Sequence, residues 1–170
     1  DESIVHPDSS PKERETQICM NDYKYVDLIL GKQCQTKMGR GGIRPLEFKT
    51  FSKEMQNAIT NYCQAGGNFF VSGAYVASDL WDNRLVKANE EDKKFAMEVL
   101  KYKWRVGQAA RNGKVKSVAS PFPEITGSYT YYQDLNPESY VVESPDALEP
   151  AAQGAFTILR YSENNLSAGI

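Results

Sequence analysis

The segment over residues 72–82 holds the densest group of side chains that could take part in chemistry. Asp79 and Asp82 lie three residues apart near the end of one predicted strand. Two such carboxylates could act as acid and base on a glycosidic bond or bind a hard cation. The alternative is that one carboxylate caps the next helical turn and the other is solvated. Because the alternative is the commoner role, we predict neither a metal site nor a catalytic residue here.

A nucleophile at a strand-to-helix turn is the second chemistry that this segment suggests. In such elbows a Ser or Cys lies between small residues and stands on a strained turn. Here Ala74 occupies the apex, with Ser72 and Ser78 on either side. His6 is the single histidine of the chain and is distant in sequence, and we interpret it as a surface residue. The sequence therefore does not predict a Ser–His or Cys–His pair.

Aromatic side chains accompany these polar groups. Tyr75 and Trp81 could stack on the apolar faces of a sugar, and together with Ser78, Asp79 and Asp82 they are the candidate ligand-binding residues. Further rings that could line such a cleft are Trp104, Tyr129, Tyr131 and Tyr132. The alternative is structural packing, with Trp104 on a helix stripe and the tyrosines on strands.

A helix, a glycine stop and a buried strand must position this segment. Ser52 can cap a helix over residues 52–65, whose apolar stripe consists of Met55, Ala58, Ile59, Tyr62 and Cys63. Gly66 and Gly67 suit a left-handed helix end. Residues 68–73 then form a short apolar strand of the kind covered on both faces. We therefore predict an interior strand with both Phe69 and Phe70 buried, and a ligand site beyond its carboxyl end.

The rest of the chain alternates helix and strand before becoming mostly strand. A strand over residues 25–30 ends at Gly31, a mobile loop follows over 33–45, a second helix covers about 90–106, and a strand covers 114–118. The C-terminal third contains strand candidates over 128–133, 139–143, 155–161 and 166–170, with a hairpin turn at 162–165. Residues 1–17 are a polar, irregular lead-in to a single domain over 18–170.

Composition excludes several functional classes. The 170 residues are 41% hydrophobic and 25% charged, with a formal net charge of −2, so no basic field favours nucleic acid. No apolar run reaches the roughly 20 residues of a membrane span. Cys19, Cys34 and Cys63 lack zinc-type spacing; Cys63 is expected to pack in the core, while the other two could pair. The glycines at 39–42 form no phosphate-binding motif. We predict no cofactor.

Several segments together resemble a known superfamily. Residues 61–75 (NYCQAGGNFFVSGAY) look like the helix–Gly-Gly–strand of class I glutamine amidotransferase-like domains. The resemblance extends to residues 25–31 (YVDLILG), 78–82 (SDLWD), 154–161 (GAFTILRY) and 163–165 (ENN). This fuller pattern resembles a domain of large bacterial exported proteins often labelled xanthan lyase. The superfamily implies a flavodoxin-like layered sheet. Together with the strand-rich C-terminal third, this predicts an α/β, three-layer flavodoxin-like fold with a largely parallel sheet and an antiparallel β-rich C-terminal extension.

The resemblance also implies a setting and a function. The chain is expected to be a fragment of a longer exported, periplasmic or cell-surface protein, with neighbouring domains of that protein as partners. Amidotransferases carry a Cys at the elbow and a downstream His–Glu pair, whereas this chain has Ala74 and no histidine after residue 6. The expected function is therefore a non-catalytic module that binds a glycan or positions other domains. The alternative is a carbohydrate-cleaving enzyme, a xanthan lyase-like polysaccharide lyase or a hydrolase.

Overall fold

The computed structural model describes residues 19–34, 36–38, 46–82, 88–119, 121–131 and 140–170. The predicted lead-in over residues 1–17 and His6 lie outside these ranges. A 3₁₀ turn over Met20–Asp22 precedes the regular elements. In chain order these are β1 (Tyr25–Gly31), β2 (Thr36–Met38), β3 (Leu46–Phe48), α1 (Lys53–Gln64), β4 (Asn68–Gly73), α2 (Ser78–Trp81), α3 (Glu90–Glu98), β5 (Tyr102–Val106), β6 (Lys114–Ser117), β7 (Ser128–Thr130), β8 (Ala147–Pro150), β9 (Leu159–Tyr161) and β10 (Ser167–Gly169).

The predicted three-layer, largely parallel sheet is wrong. Only β1 and β4 pair in parallel among the described strands, and they form a two-stranded sheet. Six strands form a separate antiparallel sheet in the order β5-β8-β10-β9-β6-β7. A third, two-stranded sheet joins β2 and β3. The described part of the chain is thus a mixed α/β structure whose larger sheet is antiparallel.

Helix α1 forms as its sequence predicts. The Ser52 side chain accepts a hydrogen bond from the backbone N–H of Met55 at the N-terminus. At the other end Gly66 has φ +88°, and the N–H groups of Gly66 and Gly67 donate to the carbonyls of Cys63 and Tyr62, which is a Schellman motif. Ile59 and Tyr62 are buried, Met55 and Cys63 pack partly buried against the core, and Ala58 is exposed, contrary to prediction.

The predicted burial of strand β4 on both faces is also wrong. Phe69 is partly buried against the core, but Phe70 is 57% exposed. The same alternation runs along β1, where Leu28 packs inward and Ile29 is exposed. One face of the β1–β4 sheet therefore packs on the core beneath α1, and the opposite face is open. Adjacent phenylalanines point to opposite faces of a strand, so only one of them reaches the core.

The second predicted helix ends early. Helix α3 begins with a capping box between Asn89 and Asp92, and it stops at Glu98. Lys101 then adopts φ +65°, a left-handed conformation that ends the helical path. Residues 102–106 form strand β5, which pairs with β8, a strand that the sequence did not predict. Trp104 and Tyr102 therefore lie on a strand rather than on a helix stripe.

The C-terminal third is mostly strand, as predicted, but its strands are shorter. The turn at 162–165 joins β9 to β10 as an antiparallel hairpin, with Asn165 at φ +65°. Only the last three residues of the predicted strand 155–161 form β9. Residues 140–143 form no strand, and 139 lies outside the described ranges. Of the predicted loop over 33–45, Thr36–Met38 forms β2, whereas 35 and 39–45 are not described.

Packing around α1 predicts different reactivities for the cysteines, none of which forms a disulfide. Cys34 is exposed, whereas Cys63 is partly buried and burial raises the pKa of its thiol. We expect Cys63 to react with a thiol reagent at least about tenfold more slowly than Cys34 at neutral pH. Single-cysteine variants followed by absorbance give both rates. Equal rates in the folded chain would contradict this packing.

Candidate functional site

The turn that follows β4 lies at the carboxyl ends of the two parallel strands. Residues 74–77 form the turn and lead directly into α2. The N–H of Ala74 donates to the carbonyl of Gly31 at 2.8 Å, and its carbonyl accepts from the N–H of Asp146 at 2.8 Å. The turn is thus held between the end of β1 and the start of β8. The predicted site residues Tyr75, Ser78, Asp79, Trp81 and Asp82 all belong to this turn or to α2 and its cap.

Asp79 is directed into the protein. It is 2% exposed, and its Oδ1 and Oδ2 accept the backbone N–H groups of Thr50 at 2.8 Å and Phe51 at 3.0 Å. These bonds join α2 to the segment that enters α1. Asp82 is partly buried at the C-cap of α2, where its N–H donates to the Ser78 carbonyl. The buried Asp79 carboxylate therefore holds α2 to the segment before α1 through both of its oxygens.

Asp146 is the most constrained carboxylate near the turn, and the sequence analysis missed it. It is 4% exposed, and its Oδ2 accepts the N–H groups of Ala77 at 3.0 Å and Ser78 at 2.7 Å. Its Oδ1 accepts the indole N–H of Trp104 at 3.1 Å. Burial raises the pKa of Asp146 to about 6 against the opposing effect of these hydrogen bonds. No local motif marks this residue, because its partners come from distant segments.

Aromatic side chains pack around the turn. The Tyr102 hydroxyl donates to the Val76 carbonyl, and burial raises the pKa of Tyr102 well above its ordinary value. Trp81 lies partly buried with its ring centroid 6.5 Å from that of Tyr102. The Tyr161 hydroxyl donates to the Asp146 carbonyl at 2.6 Å. Trp81 and Trp104 therefore pack near the turn, Trp104 from strand β5 and not from the predicted helix stripe.

A cluster of exposed and partly exposed side chains lies at the edge of the turn. We call Lys32, Tyr75, Tyr140 and Glu143 the edge cluster. Lys32 Nζ and Glu143 Oε1 are 2.7 Å apart, and this bond raises the pKa of Lys32 and lowers that of Glu143. The Tyr140 ring is exposed and lies 3.7 Å from the position that a Cβ on Gly31 would occupy. Sequence analysis had selected only Tyr75 from this cluster.

The pKa of the Tyr75 hydroxyl depends on its burial and on the charges of the edge cluster. Partial burial raises its pKa, Glu143 raises it further, and Lys32 opposes the rise. Tyr75 therefore remains a neutral phenol at neutral pH, able to donate one hydrogen bond and accept others. The cluster offers an ammonium donor, a carboxylate acceptor, a phenol and an exposed ring within one patch. No local pattern could have grouped them, because residues 140 and 143 are far from 32 and 75 in sequence.

A groove of about 610 Å³ lies elsewhere, between β4 and the antiparallel sheet. Its lining is mainly apolar and includes Phe70, Val71, Phe122, Phe156 and Ile170. None of the five predicted ligand-binding residues lines it. The groove and the edge cluster are therefore separate features of the structure.

The comparisons with known proteins identify no relative. Neither a protein-family model, nor a curated protein, nor a solved structure matches the chain. Within the described ranges no helix has both the length and the apolar character needed to cross a membrane. Across the same ranges no three His, Cys, Asp or Glu side chains come together in an arrangement suited to a metal ion. The function must therefore be inferred from the geometry of the site.

Burial of Asp146 predicts a specific pH dependence of stability. Its pKa of about 6 lies above the ordinary value of 3.8, so between these values the folded chain keeps a proton that the unfolded chain has lost. The free energy of unfolding should therefore fall as pH rises through this window, by about 3 kcal/mol if the whole shift is realised. Asp146→Asn should remove this contribution. Urea unfolding at a series of pH values measures it.

The exposed Glu124 provides the matched control for this titration. The difference in unfolding free energy between the wild-type chain and Asp146→Asn should decrease from pH 4 to pH 6. Glu124→Gln leaves Asp146 in place, so this variant should keep the fall in unfolding free energy between pH 4 and pH 6. Parallel curves for Asp146→Asn would instead mean that this carboxyl titrates alike in the folded and unfolded chains.

The two hydrogen bonds of Asp79 predict a structural effect of its substitution. In Asp79→Asn one acceptor oxygen becomes an amide donor that faces a backbone N–H of Thr50 or Phe51. We expect the free energy of unfolding at pH 7 to fall by about 1–3 kcal/mol. Chemical denaturation, with Glu124→Gln as the surface control, measures the loss. Unchanged stability would show that the carboxylate does not hold α2 to the start of α1.

Proposed function

We propose that this domain is a non-catalytic module that binds a glycan at the edge cluster. The observation that carries the proposal is the grouping of Lys32, Glu143, Tyr75 and the exposed Tyr140 ring at the carboxyl ends of β1 and β4. Ligands of parallel sheets bind at this end of the strands. Sugars present hydroxyl groups that need both donors and acceptors, and apolar faces that stack on aromatic rings. The edge cluster supplies each of these groups.

The remaining predicted residues have a positioning role in this proposal. The Ser78 N–H donates a hydrogen bond to Asp146, and Asp79 accepts one from the backbone just before α1. Trp81 packs beside Tyr102. Asp82 ends α2. These contacts keep the turn rigid, so the Tyr75 side chain can be presented to a ligand at low entropic cost. A preformed patch of this kind suits binding.

The alternative, a polysaccharide lyase or hydrolase, receives less support from the same side chains. A lyase needs a base to remove the proton next to a uronate carboxylate, and a raised pKa makes the Tyr75 phenolate scarce at neutral pH. The carboxylate of Asp79 is buried and bonded on both oxygens. We therefore propose binding without turnover.

The proposed cellular setting rests on the sequence resemblance alone. We propose that the chain belongs to an exported, cell-surface protein in which it binds glycan or positions neighbouring domains.

Glycan binding predicts a strong dependence on Tyr140. Calorimetric titration with neutral and uronate-containing oligosaccharides should detect binding that Tyr140→Ala weakens by about 1–3 kcal/mol, the value of a lost aromatic contact. Lys32→Gln should weaken binding of the uronate series more than that of the neutral series, because it removes a cation. Tyr129→Ala is the matched control, since Tyr129 is also exposed but lies on β7.

Two outcomes would overturn the proposed function. Absence of binding to both series, or loss of affinity in Tyr129→Ala equal to that in Tyr140→Ala, would remove the edge cluster as a glycan site. Turnover is tested separately by following the absorbance of the unsaturated sugar end that a lyase releases from a uronate polymer. A signal that disappears in Tyr75→Phe or Asp79→Asn would establish the enzyme instead.

A further inference from the structure

The open face of the β1–β4 sheet carries three large apolar side chains. Tyr25 is 69% exposed, Ile29 is 72% exposed and Phe70 is 57% exposed. Tyr25 and Ile29 lie on the same face of β1, with Asp27 between them. Phe70 of β4 is in register with Asp27. These side chains, together with Asp27 and Lys24, are called the open face. It is distinct from the edge cluster, which lies beyond the strand ends.

Such a face is unusual for a parallel sheet. Parallel strands are normally covered on both faces, because their connections place helices there. Here α1 and the core cover one face, and Leu28, Phe69 and Val71 pack into it. Large apolar side chains grouped on a protein surface indicate an interaction site rather than ordinary exposure. The open face is therefore a candidate interaction site.

The charges of the open face indicate which partner fits. Asp27 is exposed midway between Tyr25 and Ile29 on the same strand face. Lys24 extends over the Tyr25 ring, with its Nζ 5.5 Å from the ring centroid. The patch thus carries a cation and a phenol at one end and a carboxylate about 7 Å further along the strand, two residues of strand rise. When two copies of such a surface face each other with their strands antiparallel, the cation of each copy lies opposite the carboxylate of the other.

We propose that the open face binds the same face of a second copy of this chain through a two-fold axis close to Val26. The two β1 strands then run antiparallel across the interface, and each contact occurs twice. Asp27 of each copy accepts a hydrogen bond from the other copy's Tyr25 hydroxyl and pairs with its Lys24 ammonium. Ile29 lies opposite the exposed Tyr23, and the two Phe70 rings fill the centre beside the axis.

The proposal predicts reversible dimers of the 170-residue chain. Sedimentation velocity over a concentration series should show a monomer–dimer equilibrium with a micromolar or weaker dissociation constant, as is typical of small interfaces. Asp27→Lys should raise that constant at least about tenfold, because it places like charges against each other. Ile29→Ser should raise it also, through lost apolar contact. The double variant Lys24→Asp with Asp27→Lys should return it to within about threefold of wild type.

The controls make each outcome decisive. Lys103→Asp reverses an exposed charge on β5, outside the open face, and should leave the equilibrium unchanged. Circular dichroism verifies that each variant is folded. A chain that remains monomeric at the highest concentration, a dimer insensitive to Asp27→Lys and Ile29→Ser, or a double variant that is not restored would each overturn the proposal. Glycan titrations are independent of this test, because the edge cluster shares no residue with the open face.

Discussion

The carboxylate of Asp146 is the junction on which this structure depends. It receives three N–H groups, one from Ala77 in the turn after β4, one from Ser78 at the start of α2, and one from the Trp104 indole of β5. Its own backbone binds Ala74 through the N–H and Tyr161 through the carbonyl. One residue therefore joins the parallel pair of strands to the antiparallel sheet. A buried ionised carboxylate is costly unless it is fully hydrogen-bonded, and the raised pKa shows that burial still outweighs those bonds.

The position of the candidate site follows from this junction. Asp146, just before β8, accepts a hydrogen bond from Ala77 of the turn, and the Tyr102 hydroxyl donates one to the turn's Val76 carbonyl. Asp79 bonds α2 to the segment before α1. Tyr75 lies within the turn, and Lys32 and Glu143 follow β1 and precede β8 respectively. The edge cluster thus forms where two sheets of different topology are bonded together. Rigidity there comes from buried polar contacts as much as from apolar packing.

Local features of the fold could be predicted from the sequence, whereas distant pairings could not. The Ser52 cap, the left-handed Gly66 and the Asn165 turn depend on neighbours within a few residues. By contrast, residues 102–106 fit a helical stripe and an alternating strand equally well. Pairing with β8 decides in favour of the strand, and β8 is short and ends in a proline. Phe70 was misassigned because a continuous apolar run does not reveal that a sheet has only one covered face.

The same reasoning applies to the site. Tyr75 could be selected because it follows a recognisable strand, and Asp79 because it lies near a second carboxylate. Asp146 and Glu143 gave no local signal, because their partners Ser78 and Lys32 lie 68 and 111 residues away in sequence. The helix–glycine–strand unit was predicted correctly, but β4 pairs in parallel with β1 alone among the described strands and the larger sheet is antiparallel, so the expected flavodoxin-like architecture does not follow.

Gly66 and Gly67, the two glycines after α1, differ in the substitutions that they tolerate. Gly66 is required by its backbone angle, with open space around it, so asparagine is a plausible substitute. Gly67 is required by the Tyr62 ring, which a Cβ at that position would overlap. Tyr62 is itself fixed, since its hydroxyl donates to the Tyr23 carbonyl at 3.0 Å. In related sequences positions 62 and 67 should therefore change together, whereas position 66 should vary independently of both.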